Sequence, residues 1–252
     1  MTANLVDTHC HLDVLADPDA AVADAAAAGV TPLICMGLDA GSTRGVLELA
    51  HRHQGVFAGA GHHPTSDGEP DIPALRDLAG DPKVVAVGEV GLDFGHPDRP
   101  PADAQVARLH SLCELAIELD LPLSIHNREA EAELLEVLRA HPGVRAVMHY
   151  WSLEWSWAER FLDLGLYLSF SGLATRASRE AVRDVAKRMP ADRLLLETDS
   201  PFGMPRGRPN GQNQPAWLVD VAELIAAVRG VTVAELAELE ERNARALFTR
   251  LT

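Results

Sequence analysis

The chain has 252 residues, 47% hydrophobic and 23% charged, an ordinary globular composition that excludes an intrinsically disordered protein. That length suits one barrel-sized domain over residues 1–252, large enough to bury a core without disulfides or structural metals. A net charge of −15, with lysine only at Lys83 and Lys187, excludes a broad basic face for duplex nucleic acid, so any polyanion has to be captured locally.

In chain order, short β-branched or apolar runs alternate with Ala/Leu/Glu-rich stretches of helical period. The sequence opens Met1-Thr2-Ala3-Asn4 and passes straight into a strand over Asn4–His9, so no secretory leader is expected. A helix over Asp19–Ala28, a strand over Pro32–Met36 and a helix over Ser42–His53 follow, then strands over Val56–Gly61 and Val84–Glu89. The second half begins with a helix over Ala102–Glu118, a strand over Pro122–His126 and a helix over Ala130–Ala140. It continues with a strand over Val144–His149, a helix over Trp157–Leu164 and a strand over Leu166–Phe170. A helix over Ser178–Met189, a strand over Arg193–Thr198 and two closing helices, Pro215–Val228 and Val233–Phe248, complete the pattern. Gly29, Gly55, His141-Pro142-Gly143 and Pro190 punctuate the junctions.

Eight strands alternating with helices predict an α/β protein, a (β/α)8 TIM barrel with its site at the carboxyl ends of the strands. A two-domain doubly wound arrangement is the competing architecture, but no Gly-rich phosphate loop follows any strand. The long irregular stretch Gly203–Gln214 follows the last strand, where loops usually border a binding site. No apolar stretch is long enough to span a bilayer. Cys10, Cys35 and Cys113 lack metal-finger spacing and fit the reduced thiols of a cytoplasmic protein.

The metal-type residues fall at the strand ends. In Asp7-Thr8-His9-Cys10-His11, side-chain alternation turns His9 and His11 to one side and Cys10 to the other. Glu89, His126 and His149 end the fourth, fifth and sixth predicted strands, and Asp199 follows the eighth. Six such side chains on one rim cost several kcal/mol in desolvation and repulsion unless a cation organises them, so a pair of divalent metal ions is the economical reading. Lys83 precedes its strand and Lys187 lies on a helix, so neither is placed to bridge metals as a carboxylated lysine; Glu89 is the candidate bridge. The alternative for single residues is a salt bridge for Glu89 or a core role for His126 and His149. His51, His53, His96, His110 and His141 read as surface histidines, whereas one of His62 and His63 is expected at the rim as a substrate contact.

The sequence resembles the TatD-like metal-dependent hydrolases of the amidohydrolase superfamily. The resemblance runs through Asp7-Thr8-His9-Cys10-His11, Gly61-His62-His63-Pro64, Gly88-Glu89-Val90-Gly91-Leu92-Asp93 and Ile125-His126-Asn127-Arg128. It continues through Met148-His149, Glu197-Thr198-Asp199-Ser200-Pro201, Arg206-Gly207 and Arg242-Asn243-Ala244. It implies that His9, His11 and Asp199 hold one metal and His126 and His149 the other, with Glu89 between them. It implies nuclease activity on single-stranded ends or D-aminoacyl-tRNA deacylation, with His63, Arg128 and Arg206 on the substrate. Two departures stand out. The strand-six histidine, usually followed by Cys-Phe-Ser/Thr-Gly, reads His149-Tyr150-Trp151-Ser152-Leu153, and the usual Arg-Gly-x-x-Asn-Glu-Pro is three residues longer, with Gln214 where the Glu belongs.

The expected chemistry is hydrolysis, with Asp199 and Glu89 as catalytic carboxylates and Asp199 taking a proton from water. Glu197 supports the centre from below or forms a structural salt bridge. Arg128 holds an anion or pairs with Glu129 or Glu131. Arg206 and Arg208, with no acidic neighbour inside Gly203–Gln214, form the best local anion trap. Trp151 is a candidate for base stacking if exposed and a packing residue if not. The His-rich set suits Zn2+ or Mn2+ by ligand type, and the resemblance favours Mg2+. The leading expectation is a phosphodiesterase acting on single-stranded DNA or RNA ends, with no membrane partner. A hydrolase of small phosphate, amide, ester or lactone substrates and a non-catalytic metal-binding protein are the alternatives.

Overall fold

The computed structural model describes residues 4–209 and 211–251. Eight parallel strands follow one another in sheet order β1 to β8. They are β1 (Leu5–Cys10), β2 (Val30–Met36), β3 (Val56–Ala60), β4 (Val84–Asp93), β5 (Leu123–Arg128), β6 (Ala146–Met148), β7 (Tyr167–Phe170) and β8 (Leu194–Leu196). Around them lie α1 (Pro18–Ala27), α2 (Ala40–Arg52), α3 (Ile72–Ala79), α4 (Ala102–Leu119), α5 (Glu131–Ala140), α6 (Trp155–Asp163), α7 (Glu180–Arg188), α8 (Leu218–Arg229) and α9 (Val233–Leu247). Strictly sequential parallel pairing is barrel order, and the doubly wound alternative, which needs a reversal of strand order, is set aside.

Helix starts follow local chemistry. Asp17, Asp39 and Asp71 cap α1, α2 and α3 by accepting the N–H groups of Ala20, Ser42 and Ala74, and Thr232 and Glu235 form a reciprocal capping box on α9. The sequence pattern passes over α3, which is only eight residues long and carries Pro73 in its first turn.

Two apolar layers result. The larger packs the outer strand faces against the helices, and Cys10, Cys35 and Cys113 are buried there as free thiols. The smaller joins Val6, Ile34, Val85 and Leu195 to Leu247, Phe248 and Leu251 at the end of the chain. Among the described residues no helix is long and apolar enough to cross a membrane.

The joint between β8 and β1 is made largely by side chains. Glu240 of α9 accepts the Val6 N–H at 2.9 Å, and Asn243 donates to the carbonyls of Ala191 and Leu194 at 2.8 and 2.9 Å. Thr198 N–H donates to Asp7 at 2.8 Å, and Thr8 Oγ1 donates to Leu196 O at 2.8 Å. Above them Asp199 N–H reaches His9 O and His11 N–H reaches Ser200 O, at 2.9 and 2.7 Å. The turn after the eighth strand is thus stitched to His9 and His11 through Asp199 and Ser200.

Candidate metal centre

Five imidazoles face two carboxylates at the carboxyl end of the barrel. His9 Nε2 and His11 Nε2 are 3.3 Å apart, and both approach Glu89 Oε2, at 3.5 and 3.4 Å. Asp199 Oδ1 lies 3.5 Å from His11 Nε2 and 4.0 Å from His9 Nε2. On the other side of Glu89, Oε1 meets His126 Nδ1 and His149 Nε2, both at 3.0 Å, and His63 Nε2 at 3.5 Å. Glu89 therefore stands between two groups of nitrogen donors. Three sets can each bring ligand atoms within 4.8 Å of one another: His9–His11–Asp199, His9–His149–Glu197 and His63–Glu89–His126.

The far ring nitrogens are anchored. His9 Nδ1 meets Ser124 Oγ at 2.9 Å, His11 Nδ1 meets Met36 O at 3.3 Å, His63 Nδ1 meets Thr65 Oγ1 at 2.7 Å and His149 Nδ1 meets Glu197 Oε1 at 3.3 Å. A ring that donates from Nδ1 to a carbonyl or carboxylate presents a bare Nε2 lone pair, the arrangement that fixes metal-bound histidines. Burial, and then His149, lower His9 to about 3, so its ring is neutral. Burial opposes charge on His11, but Asp199 and Glu89 outweigh it and raise the ring to about 9. His149 is likewise raised well above the usual range, its burial outweighed by Glu89 and Glu197. Burial would raise Glu89 too, yet His63, His149 and His9 hold its carboxyl well below the usual range. Glu197 Oε2 is buried with no hydrogen-bond partner among the described residues. Crowded imidazole lone pairs, ionised carboxylates and one orphaned carboxylate oxygen fit two divalent cations, which would displace the protons His11 and His149 otherwise keep.

Comparison with known proteins gives the family. The family described as "TatD related DNase" matches residues 6–249. The chain belongs to the TatD-related DNase family. It is 37% identical to the uncharacterized metal-dependent hydrolase YcfH of Escherichia coli K12, over 97% of this chain and 95% of that protein. It is 35% identical to the 3'-5' ssDNA/RNA exonuclease TatD of Cronobacter sakazakii, over 93% and 92%. The crystal structure of YJJV, a TatD homolog from Escherichia coli K12, superposes with a TM-score of 0.92 at 32% identity, covering 99% of both chains. The protein is a metal-dependent hydrolase.

Several expectations change in the folded barrel. Glu89 does not end β4, which runs on to Asp93 because β5 rises beside it, pairing Gly91 with His126 and Asp93 with Arg128. Gly91 makes that approach possible: its φ is +145°, and a side chain there would strike the His126 carbonyl. β8 stops at Leu196, so Asp199 reaches the centre through a left-handed turn (φ +56°) and not by strand alternation with Glu197. Trp151 is 2% exposed, its indole N–H donates to Leu153 O and its ring packs on Phe161, which removes it as a stacking surface. Arg208 is claimed by Asp220 in a two-pronged pair at 2.6 Å, so it is no free anion trap; the acidic partner lies outside the loop. Arg206 stays exposed, its backbone N–H on Thr175 Oγ1. Arg128 is exposed too, and no ion pair joins it to Glu129 or Glu131 among the described residues. Asn210, inside the Gly203–Gln214 loop, lies outside the described residues.

Sequence reasoning gave no role to three residues of the centre. Asp93 Oδ2 meets His126 Nε2 at 3.1 Å and is itself locked by Gln105, so both nitrogens of His126 face carboxylates. Its position in Gly88-Glu89-Val90-Gly91-Leu92-Asp93 was the available signal. Ser124 carried none, being one serine in an apolar strand. Tyr150 sits at φ +50°, its N–H on Glu197 Oε1 at 2.6 Å, and its place in the altered strand-six motif did flag it.

Proposed function

We propose that this protein is a metal-dependent phosphodiesterase that trims single-stranded DNA or RNA ends. His9, His11 and Asp199 hold one ion and His126 and His149 the other, with Glu89 between them; His63 stands beside the second group. The observation that carries the reading is the pairing of this centre with exposed Arg206 and Arg128 on a protein of net charge −15. A few exposed guanidiniums, Arg128 at the end of β5 and Arg206 in the loop after β8, with no broad basic face, suit a phosphate diester end better than a long duplex. Relatives named 3'-5' ssDNA/RNA exonucleases align over more than nine-tenths of the chain and support the same choice.

When bound, divalent ions acidify water and stabilise charge on the phosphoryl and leaving oxygens. Asp199 is the proton acceptor, because its side chain is 12% exposed while those of Glu89 and Glu197 are 4% and 0%. Glu197 holds His149 through Nδ1 and Tyr150 through its N–H, which fixes the imidazole toward Glu89. Arg206, Arg128 and His63 hold the substrate phosphate in line.

The test is hydrolysis of end-labelled single-stranded DNA by metal-stripped protein, with Mg2+, Mn2+ or Zn2+ restored separately and Asp199→Ala alongside. Metal-dependent trimming is expected, falling by roughly 10²- to 10⁴-fold in the variant. Stoichiometric metal binding without trimming would overturn the nuclease reading in favour of a small carbonyl or phosphate-monoester substrate.

A further inference from the structure

Phe202 is the most exposed large apolar side chain among the described residues, 59% accessible. Its ring stands edge-on to His11, centroids 6.0 Å apart and planes at 71°. Water contact on an aromatic ring is unfavourable, and a slack loop relieves it by folding the ring down. Here the backbone is held against that. Phe202 N–H donates to Asp199 O at 2.7 Å, and its carbonyl accepts Asn213 Nδ2 at 2.6 Å. Asn213 is fully buried, donates also to Thr198 O at 2.8 Å, and sends its own N–H to Pro201 O at 3.0 Å. Gly203, next in the chain, has φ +63° and faces the Tyr150 ring so closely that a Cβ would lie 2.8 Å from it. The backbone of the turn is packed beneath, while the ring it carries stands open to solvent beside His11. Val14, also exposed, follows His11 by three residues and adds apolar surface on the β1 side of the rim.

We propose that Phe202 is the stacking platform for a nucleobase of the terminal nucleotides whose phosphodiester bond reaches the centre. The inference rests on the nuclease reading and names how that substrate is held. A phosphate at the His11–Asp199 side and a planar ring beside His11 are parts of one nucleotide. Every base has a π-face, so such a platform tolerates any sequence. It also favours unpaired ends, because bases inside a duplex are already stacked on each other. Trp151, the ring the sequence offered for this task, is buried away from it.

The experiment compares wild type, Phe202→Ala and Phe202→Trp on end-labelled single strands whose terminal nucleotides either carry bases or are abasic spacers. In wild type, kcat/KM for base-bearing ends is expected to exceed that for abasic ends by roughly 5- to 150-fold, mostly through KM. In Phe202→Ala that ratio falls toward one, and Phe202→Trp restores it. A wild-type ratio near one, or a ratio that Phe202→Ala leaves unchanged while trimming continues, overturns the platform and spares the nuclease reading. Wild type that trims neither substrate, although loaded with metal, overturns both.

Discussion

Arg206 and Arg208 stand two residues apart in one loop, yet the fold gives them different work. Arg208 Nε and Nη2 clasp Asp220 of α8, and the guanidinium lies 5.2 Å from the Trp217 ring centroid. That side chain ties the loop to the helix and has little charge to spare for a ligand. Arg206 has its backbone tied to Thr175 while its side chain remains in solvent. Arg206→Ala is therefore expected to raise KM for single-stranded DNA several-fold and to reduce the slope of log affinity against log salt by about 0.7, the share of one phosphate contact. Arg208→Ala is expected to leave that slope nearly intact and to lower stability by about 1 kcal/mol, the scale of a part-exposed bidentate pair. Salt titrations of KM and denaturant melts of the two variants check this. Equal salt slopes in both would remove Arg206 from the substrate.

At the scale of elements, α9 does more than cover the barrel: it supplies the joint between β8 and β1. Glu240 is fully buried with its carboxyl on the Val6 N–H, and its other oxygen has no partner among the described residues. Burial pushes this carboxyl well above its ordinary 4.5, while the N–H groups of Val6 and Leu196 pull the other way and lose. The folded state thus keeps a proton that the unfolded chain releases at about pH 4.5. Stability from this group is complete below that pH and declines as pH rises toward the folded value. Glu240→Gln cannot ionise, so its stability relative to wild type is expected to climb as pH rises above 4.5, by up to about 1.4 kcal/mol per unit until the folded carboxyl ionises. Asp7, raised to about 8 chiefly by burial, stays in both proteins. Urea melts at several pH values decide it, and a pH-independent difference would mean that Glu240 is charged in the fold. Nothing in Leu236-Ala237-Glu238-Leu239-Glu240-Glu241 separates the buried glutamate from its solvated neighbours, since helical period alone does not reveal a carboxyl aimed at a strand N–H. The strands were legible, because eight short β-branched or apolar runs with Gly and Pro between them have few other readings. Strand ends were less so: β4 passes Glu89 on account of β5, and β8 stops short of Glu197, both results of neighbours and not of local sequence. The gathering of His9, His11, Glu89, His126, His149 and Asp199 at one rim follows from barrel topology once the strand order is known. Ser124 and Phe202 did not follow, because a hydroxyl facing a ring across the barrel and a ring held out by Asn213 exist only in three dimensions.

For the molecule as a whole, the centre lies where β1, β4, β5, β6 and the β8 turn meet, so its electrostatic strain acts on the barrel and not on one loop. Without a cation, Glu89 is satisfied only by imidazoles that must share protons, and Glu197 keeps an unpaired buried oxygen. Divalent ions bind this arrangement in the folded chain and find no equivalent in the unfolded one, so binding energy becomes folding energy. At a free-ion concentration of 100 times Kd, one site contributes about 2.7 kcal/mol. For a barrel of this size each kcal/mol moves Tm by about 2–4 °C, which gives a drop on the order of 5–10 °C per ion removed. We propose a single cooperative domain over residues 1–252, so chelation is expected to shift one transition as a unit and not to split it. Glu89→Gln removes the charge between the two donor groups while keeping the shape, and is expected to abolish most of the metal-dependent part of the shift. Calorimetry of metal-loaded and chelated protein, wild type beside Glu89→Gln, measures this directly. A Tm indifferent to saturating Mg2+, Mn2+ and Zn2+ would mean that the crowded carboxylates and imidazoles are balanced by their own protons, and the two-ion assignment would fall with it.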